Sequence, residues 1–229
     1  IFLKRVECGF KEIQSGMEEI RQLNDPFTGT ISVAFLLTLG FNFLPDIIGK
    51  FNRQYPNVQF RLYQNATPFI LKALYSGEVD FCFVGPFDRQ PGAVWHQLMI
   101  EELFVYLPVE HPLAGRKSLD LKELAAEPFI SLKRSYGMRT LMEQFAREAG
   151  FIPAIRFEGD DVATVMGLVS CGLGVTLLPT FTSYDSSKVV RISVTSPRCQ
   201  RAIGLAWLDG RTFSRSAELF RDFAIEQFK

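Results

Sequence analysis

Gly29–Pro45, GTISVAFLLTLGFNFLP, is the stretch on which the fold turns. Ile31–Leu36 is apolar on both faces and β-branched at Ile31 and Val33, the composition of a strand buried on both sides of a parallel sheet. Small and polar residues over Thr38–Asn42 break that run. From Leu44 the apolar positions recur at Ile47, Ile48, Phe51 and Tyr55, one face of a helix. Pro45 belongs in a first helical turn, where an N–H would have had no partner. Strand, short polar turn and helix start together aim backbone N–H groups at whatever lies beyond the strand end. Thr38 and Asn42 either cap this helix or hold a ligand.

Downstream the alternation continues. Val58–Tyr63 reads as a half-covered strand. Thr67-Pro68 reads as the N-cap and first-turn proline of a helix that Gly77 ends, and Asp80–Val84 as a strand closing at Gly85-Pro86. A second unit repeats the order. It has a strand at Leu103–Leu107, a turn at His111-Pro112-Leu113, a short capped helix over Ser118–Leu124 and a strand at Phe129–Leu132. The polar loop Lys133–Gly137 then leads to a helix from Met138 to Ala149 and a strand at Ile155–Phe157. Asp160 or Asp161 caps a helix running to Cys171, and Gly174–Leu178 is a buried strand. Strands at Val189–Val194 and Arg201–Trp207 follow, with a last helix over Thr212–Phe228 expected to pack back on the first unit. The pattern predicts an α/β chain of two Rossmann-like lobes, residues 28–102 with 202–229 and residues 103–201, with right-handed crossovers.

Upstream, Leu3, Val6, Phe10, Ile13, Met17 and Ile20 repeat at alternating spacings of three and four, a heptad seam. The break at Asn24-Asp25-Pro26 sets residues 1–27 off as a helix that pairs with a second copy, the alternative being a helix packed on its own domain. The sequence starts inside this pattern without an initiating Met, as expected of a fragment.

Bulk properties narrow the function. Lys+Arg and Asp+Glu are both 25, so the chain is not a strongly basic nucleic-acid binder by itself. No apolar run reaches membrane-spanning length and no secretory pattern opens the chain, so no membrane partner is expected. Cys8, Cys82, Cys171 and Cys199 lack metal or redox spacing; Cys82 and Cys171 read as buried thiols in a reducing cytosol. His96 and His111 have no adjacent nucleophile, and no nucleophile elbow, zinc-protease pair or P-loop is present. Gly172-Leu173-Gly174 follows a helix and precedes a strand, the reverse of a dinucleotide loop, so Gly172 reads as a helix stop. No catalytic set, cofactor or metal is expected.

Open α/β sheets bind ligands beyond the carboxyl ends of their strands. In the first lobe those ends are Leu37, Thr38 and Asn42, then Ala66 and Thr67, then Gly85 and Pro86. In the second they are Ser135, Tyr136, Gly137, Met138 and Arg139, with Asp161 and Val162. Lys133, Arg134 and Arg139 favour a small anion, most simply a carboxylate held by Arg139 through a forked pair of hydrogen bonds. The bland alternatives are that Thr67 caps its helix, Ser135 shapes a turn and Arg139 lies on a solvated face.

Gly29-Thr30-Ile31 leading to Phe43-Leu44-Pro45, then Phe51 and Tyr55-Pro56, resembles the effector-binding part of LysR-type transcriptional regulators. So do Leu74 with Gly77-Glu78-Val79-Asp80, Glu110-His111-Pro112-Leu113, and the run from Gly167-Leu168-Val169 through Gly172-Leu173-Gly174-Val175 to Leu178-Pro179. The resemblance covers essentially the whole chain. It implies two periplasmic-binding-protein-like lobes (type 2) joined by two crossover strands, near Leu103–Leu107 and Arg201–Trp207, and closing on a small-molecule effector. It further implies a linker helix over residues 1–24 and a cytoplasmic homodimer or homotetramer. DNA would be bound by a winged helix-turn-helix domain absent from this sequence. Matched by position, Thr38, Thr67, Ser135–Arg139, Asp161 and Val162 fall at the family's effector site. Gly85-Pro86 departs from relatives that place a polar side chain there, and Asp160 and Asp161 oppose an anion unless they serve as caps. A solute-binding protein of a transport system shares the fold and is the rival reading.

Overall fold

The structure, a computed structural model, describes residues 27–229 and, before them, Val6, Gly9 and Gly16. Apart from these three residues, the heptad segment and its expected linker helix lie outside the described residues.

β1 (Gly29–Leu36) is covered on both faces. Ile31, Val33 and Phe35 enter a core with Phe51, Phe83 and Phe220, while Ala34 on the opposite face meets Ile70, Leu74 and Cys82. Burial on both sides is why the strand shows no polar alternation. One turn of 3-10 helix, Leu37–Leu39, leads to α1 (Phe43–Gln54), with Pro45 in its first turn and Leu44, Ile47 and Phe51 buried. β2 (Val58–Asn65), α2 (Thr67–Tyr75) and β3 (Phe81–Val84) follow, and β1 lies between β2 and β3, parallel to both.

β4 (Ala93–Pro108) is one unbroken strand that belongs to both lobes. Its first part pairs antiparallel with β10 (Gln200–Leu208), which also pairs with β3. From Leu103 it pairs instead with β8 (Thr176–Pro179) and β9 (Val189–Ser196). The chain therefore crosses between lobes at Glu102–Leu103 and returns between Ser196 and Gln200. The crossings fall beside the segments singled out in the sequence: Leu103–Leu107 lies within the second unit (lobe II), with β8 and β9, and Arg201–Trp207 within the first (lobe I), with β1, β2 and β3. The first part of β4 leaves no apolar signature because only Leu98 of Ala93–Glu102 is buried.

Lobe II also contains β5 (Ser118–Asp120), β6 (Pro128–Leu132), α3 (Gly137–Glu148), β7 (Ala154–Gly159) and α4 (Val162–Ser170). β6 and β7 pair in parallel, and a bridge from Phe129 to Val175 joins them to the chain entering β8. Ser118–Leu124 is not the single short helix expected. β9 recruits Ser118–Asp120 as a strand, and Asp120 then accepts the Lys122 N–H at 2.9 Å to open a single 3-10 turn. At Gly174 a Cβ would collide with the Pro128 carbonyl, so this glycine serves the close passage of β6. Cys171 is exposed rather than buried, because it is the C-cap of α4, past the inner face of Val165, Met166 and Val169. Cys82 and Cys199 are buried, and burial pushes the Cys199 thiol up to about 12. No helix among the described residues is long and apolar enough to cross a membrane.

α5 (Arg215–Glu226) returns to lobe I. It is shorter than Thr212–Phe228 because Ser214 caps it, accepting the Ala217 N–H at 3.2 Å. Arg211 secures the approach, donating to the Val79 carbonyl at 2.7 Å and pairing with Asp80 at 2.9 Å. Phe220 on α5 is fully buried, its ring 5.2 Å from that of Phe51 and 5.1 Å from that of Phe60. Phe220→Ala is expected to lower stability by about 3–5 kcal/mol in urea unfolding, from lost burial and an unfilled cavity. A loss below about 1 kcal/mol would contradict that packing.

Candidate ligand-binding cleft

The carboxyl ends of the lobe I strands face the start of α3 across a cavity of about 430 Å³. Leu36, Leu37, Thr38, Ala66 and Thr67 line one side with Gly85 and Pro86; Leu132, Tyr136, Gly137, Met138, Thr140 and Leu141 line the other. Gln200–Ile203 of β10 complete the wall.

Two helices begin at this cavity, and neither start is capped by a side chain. Ala66 is the N-cap position of α2 and Tyr136 that of α3. Thr67 is thus the first residue of its helix rather than the cap expected from the sequence, and its hydroxyl is not used to close the turn. The two starts nearly touch: a Cβ built on Gly137 would lie 3.9 Å from Thr67 Oγ1. First-turn N–H groups and the positive ends of two helix dipoles therefore converge on one space.

Beside them sits Arg201, 8% exposed. It stands opposite Glu101 in the β10–β4 register. Its Nε donates to Glu101 Oε2 at 2.7 Å, and Nη2 lies 2.6 Å from the same oxygen and donates to Thr38 Oγ1 at 2.7 Å. Nη1 makes no hydrogen bond to another described residue. Thr38 is therefore held by a guanidinium and caps no helix.

The structure brings Leu37, Thr38, Ala66, Thr67, Gly85, Pro86, Tyr136, Gly137 and Met138 to the cavity wall. Asn42, Ser135, Arg139, Asp161 and Val162 are placed elsewhere. Asn42 joins the lobes at their edge, donating to the Thr180 carbonyl at 3.2 Å and accepting from the Thr182 hydroxyl at 2.9 Å. Phe41 meets Phe181 alongside it, edge to face at 4.6 Å. Ser135 is exposed in the turn that closes with Tyr136 N–H on the Lys133 carbonyl. Arg139 is buried, not solvated, and binds Glu143 at 2.6 Å and Glu158 at 2.7 Å. Lys133 bonds Asp160 at 2.6 Å, and that hydrogen bond holds its ammonium above the ordinary lysine value. Val162 enters the lobe II core. Asp161 is the N-cap of α4, accepting the Thr164 N–H at 2.8 Å and its hydroxyl at 2.7 Å. Sequence reasoning missed Gln200, Arg201 and Thr140. The available signal was a lone cation opening the apolar run Ala202–Trp207.

Fold and cleft together define a two-lobed ligand-binding domain of the periplasmic-binding-protein kind. The family model for the LysR substrate binding domain matches residues 24–229, and the chain belongs to the LysR family as the effector-binding region of a transcriptional regulator. It is 42% identical over 228 residues to the uncharacterised HTH-type transcriptional regulator YybE of Bacillus subtilis, covering 100% of this chain and 78% of that protein. It is 31% identical to the transcriptional dual regulator GltC of the same organism, covering 99% and 77%. Among solved structures, the effector binding domain of QuiR in complex with shikimate is 27% identical with a TM-score of 0.80, over 88% of this chain and 97% of that one. HinK of Pseudomonas aeruginosa, a LysR family regulator, is 26% identical with a TM-score of 0.80, over 97% and 78%. These relatives are regulators, which sets aside both an enzyme and a transport protein.

The Thr164 N–H and hydroxyl hold the Asp161 carboxyl below its ordinary value of 3.8. Because the folded value is the lower one, the cap stabilises fully above the unfolded pKa and is lost as pH falls through the folded value. Asp161→Ala should lower stability by about 1 kcal/mol at neutral pH. The unfolding midpoints of variant and parent should converge in acid, and a gap that persists unchanged to about pH 2 would refute the cap.

Proposed function

We infer that this domain senses a small carboxylate held in the interlobe cleft and passes the lobe arrangement on to a DNA-reading module outside this sequence. The observation that carries the reading is the meeting of two uncapped helix starts beside Arg201 and Thr38. Two helix N-termini and the open Nη1 edge of Arg201 offer donors to one space large enough for a metabolite, and small-molecule sites span about 300–1,000 Å³. The shikimate complex of QuiR supports the choice of an organic acid, since that relative binds a carboxylate in the same kind of domain. The acid acts as an effector only so far as it prefers one arrangement of the lobes. Residues 1–24 pair two copies through their heptad seam, and the regulator works in the cytoplasm.

A thermal-shift and calorimetric screen of organic acids against their uncharged amides tests this. The acids should raise the melting temperature and the amides should not. Thr38→Val, which removes a hydroxyl at the Arg201 guanidinium, should weaken the acid about tenfold or more. Equal affinity for acid and amide, or for parent and variant, would overturn the site. Sedimentation should show self-association that is lost on deleting residues 1–24; a monomer at high concentration with those residues present would refute the pairing.

A further inference from the structure

Resting on that cleft, we propose that its ligand carries a single carboxylate on an apolar body, an aromatic or branched-chain acid, and that Glu101 excludes acids of higher charge. Charge accounting carries the argument. Among the described lining residues, Arg201 is the one cation, and Glu101 already lies 2.6–2.7 Å from its Nε and Nη2. Lys133, Arg134 and Arg139 are the other cations near the start of α3, and Arg134 is exposed and lies outside the cavity wall. Lys133 is paired with Asp160, and Arg139 with Glu143 and Glu158. One carboxylate finds the helix starts and the open Nη1 edge of Arg201. A second would find no further cation on the cavity wall, and an unpaired charge in a desolvated site is strongly disfavoured.

The walls that receive the rest of the ligand are apolar on both sides. Leu36, Leu37 and Pro86 face Leu132, Met138 and Leu141, with Ile203 on β10 fully buried behind them. The hydroxyls of Thr67 and Thr140 and the amide of Gln200 also line the cleft. They supply neutral hydrogen bonds, so uncharged polar atoms on the body are accommodated where a second charge is not.

Glu101 is then a specificity-determining residue as well as a structural one. It shares the guanidinium with the incoming carboxylate, so the cleft is close to electrically neutral before binding. Removing that negative charge while keeping an amide oxygen for Arg201 should both tighten single-charge acids and admit double-charge ones.

The test titrates the whole chain calorimetrically with benzoate, 3-methyl-2-oxobutanoate, succinate and citrate. Benzoate and the branched oxo acid should bind, with succinate and citrate at least tenfold weaker. In Glu101→Gln the first two should tighten several-fold and succinate should gain more than they do. Thr140→Trp, which fills the cleft from the exposed face of α3, should abolish binding of every acid that binds the parent. Succinate or citrate binding more tightly than the monocarboxylates, yet blocked by Thr140→Trp, leaves the cleft standing and overturns the ligand class. Binding that survives Thr140→Trp overturns the cleft assignment itself. Absence of binding by either monocarboxylate overturns the class, and an unchanged succinate-to-benzoate ratio in Glu101→Gln overturns the role of Glu101.

Discussion

A guanidinium withdrawn from water needs partners for its donors, and Arg201 finds them for Nε and Nη2 in Glu101 on the neighbouring strand and Thr38 in the turn after β1, leaving Nη1 open. These partners are 100 and 163 residues away in sequence, yet all three groups meet beside the crossovers between the lobes. β4, β10 and the turn after β1 are thereby fixed to one another at the cleft wall. The wall a ligand touches is thus part of the frame that connects the lobes. Anything that alters the charge on Arg201 acts on both at once.

Capping shows how the helices divide their labour. α4 and α5 are closed by Asp161 and Ser214, side chains that satisfy first-turn N–H groups in the usual way. α2 and α3, the two helices that start at the cleft, have no such cap. α1 also lacks one, because Asn42 reaches across to Thr180 and Thr182 instead. Uncapped starts concentrate where the lobes face each other, and one of the three is exchanged for a lobe-to-lobe contact. The Asn42 and Phe41 contacts add a connection beyond the two crossing strands, so relative motion of the lobes is restrained at that edge.

Much of this architecture was legible in the sequence because its signals are local. β1 could be read from Ile31–Leu36, apolar but for Ser32, and α1 from a 3.6-residue repeat with proline in its first turn. The first part of β4 could not, since a strand with one buried residue carries no periodicity. The strand ends and helix starts that reach the cleft were likewise visible as polar breaks between apolar runs. Arg201 was invisible as a site residue because its meaning depends on Glu101, which only strand register places opposite it. Arg139 was misleading for the same reason. Its partner Glu143 at the fourth following residue was in plain view, but Glu158 arrives from β7, and together they bury the guanidinium. A charge in a sequence says what a site can attract; only the fold says whether a neighbour has already claimed it.

The most direct test of the central claim is a crystal structure of this chain with benzoate bound. The account predicts the carboxylate between the first turns of α2 and α3, within hydrogen-bond distance of Arg201, and the ring against Leu132, Met138 and Leu141. Benzoate ordered outside the cleft, or inside it with the carboxylate turned away from both helix starts and from Arg201, would contradict the account.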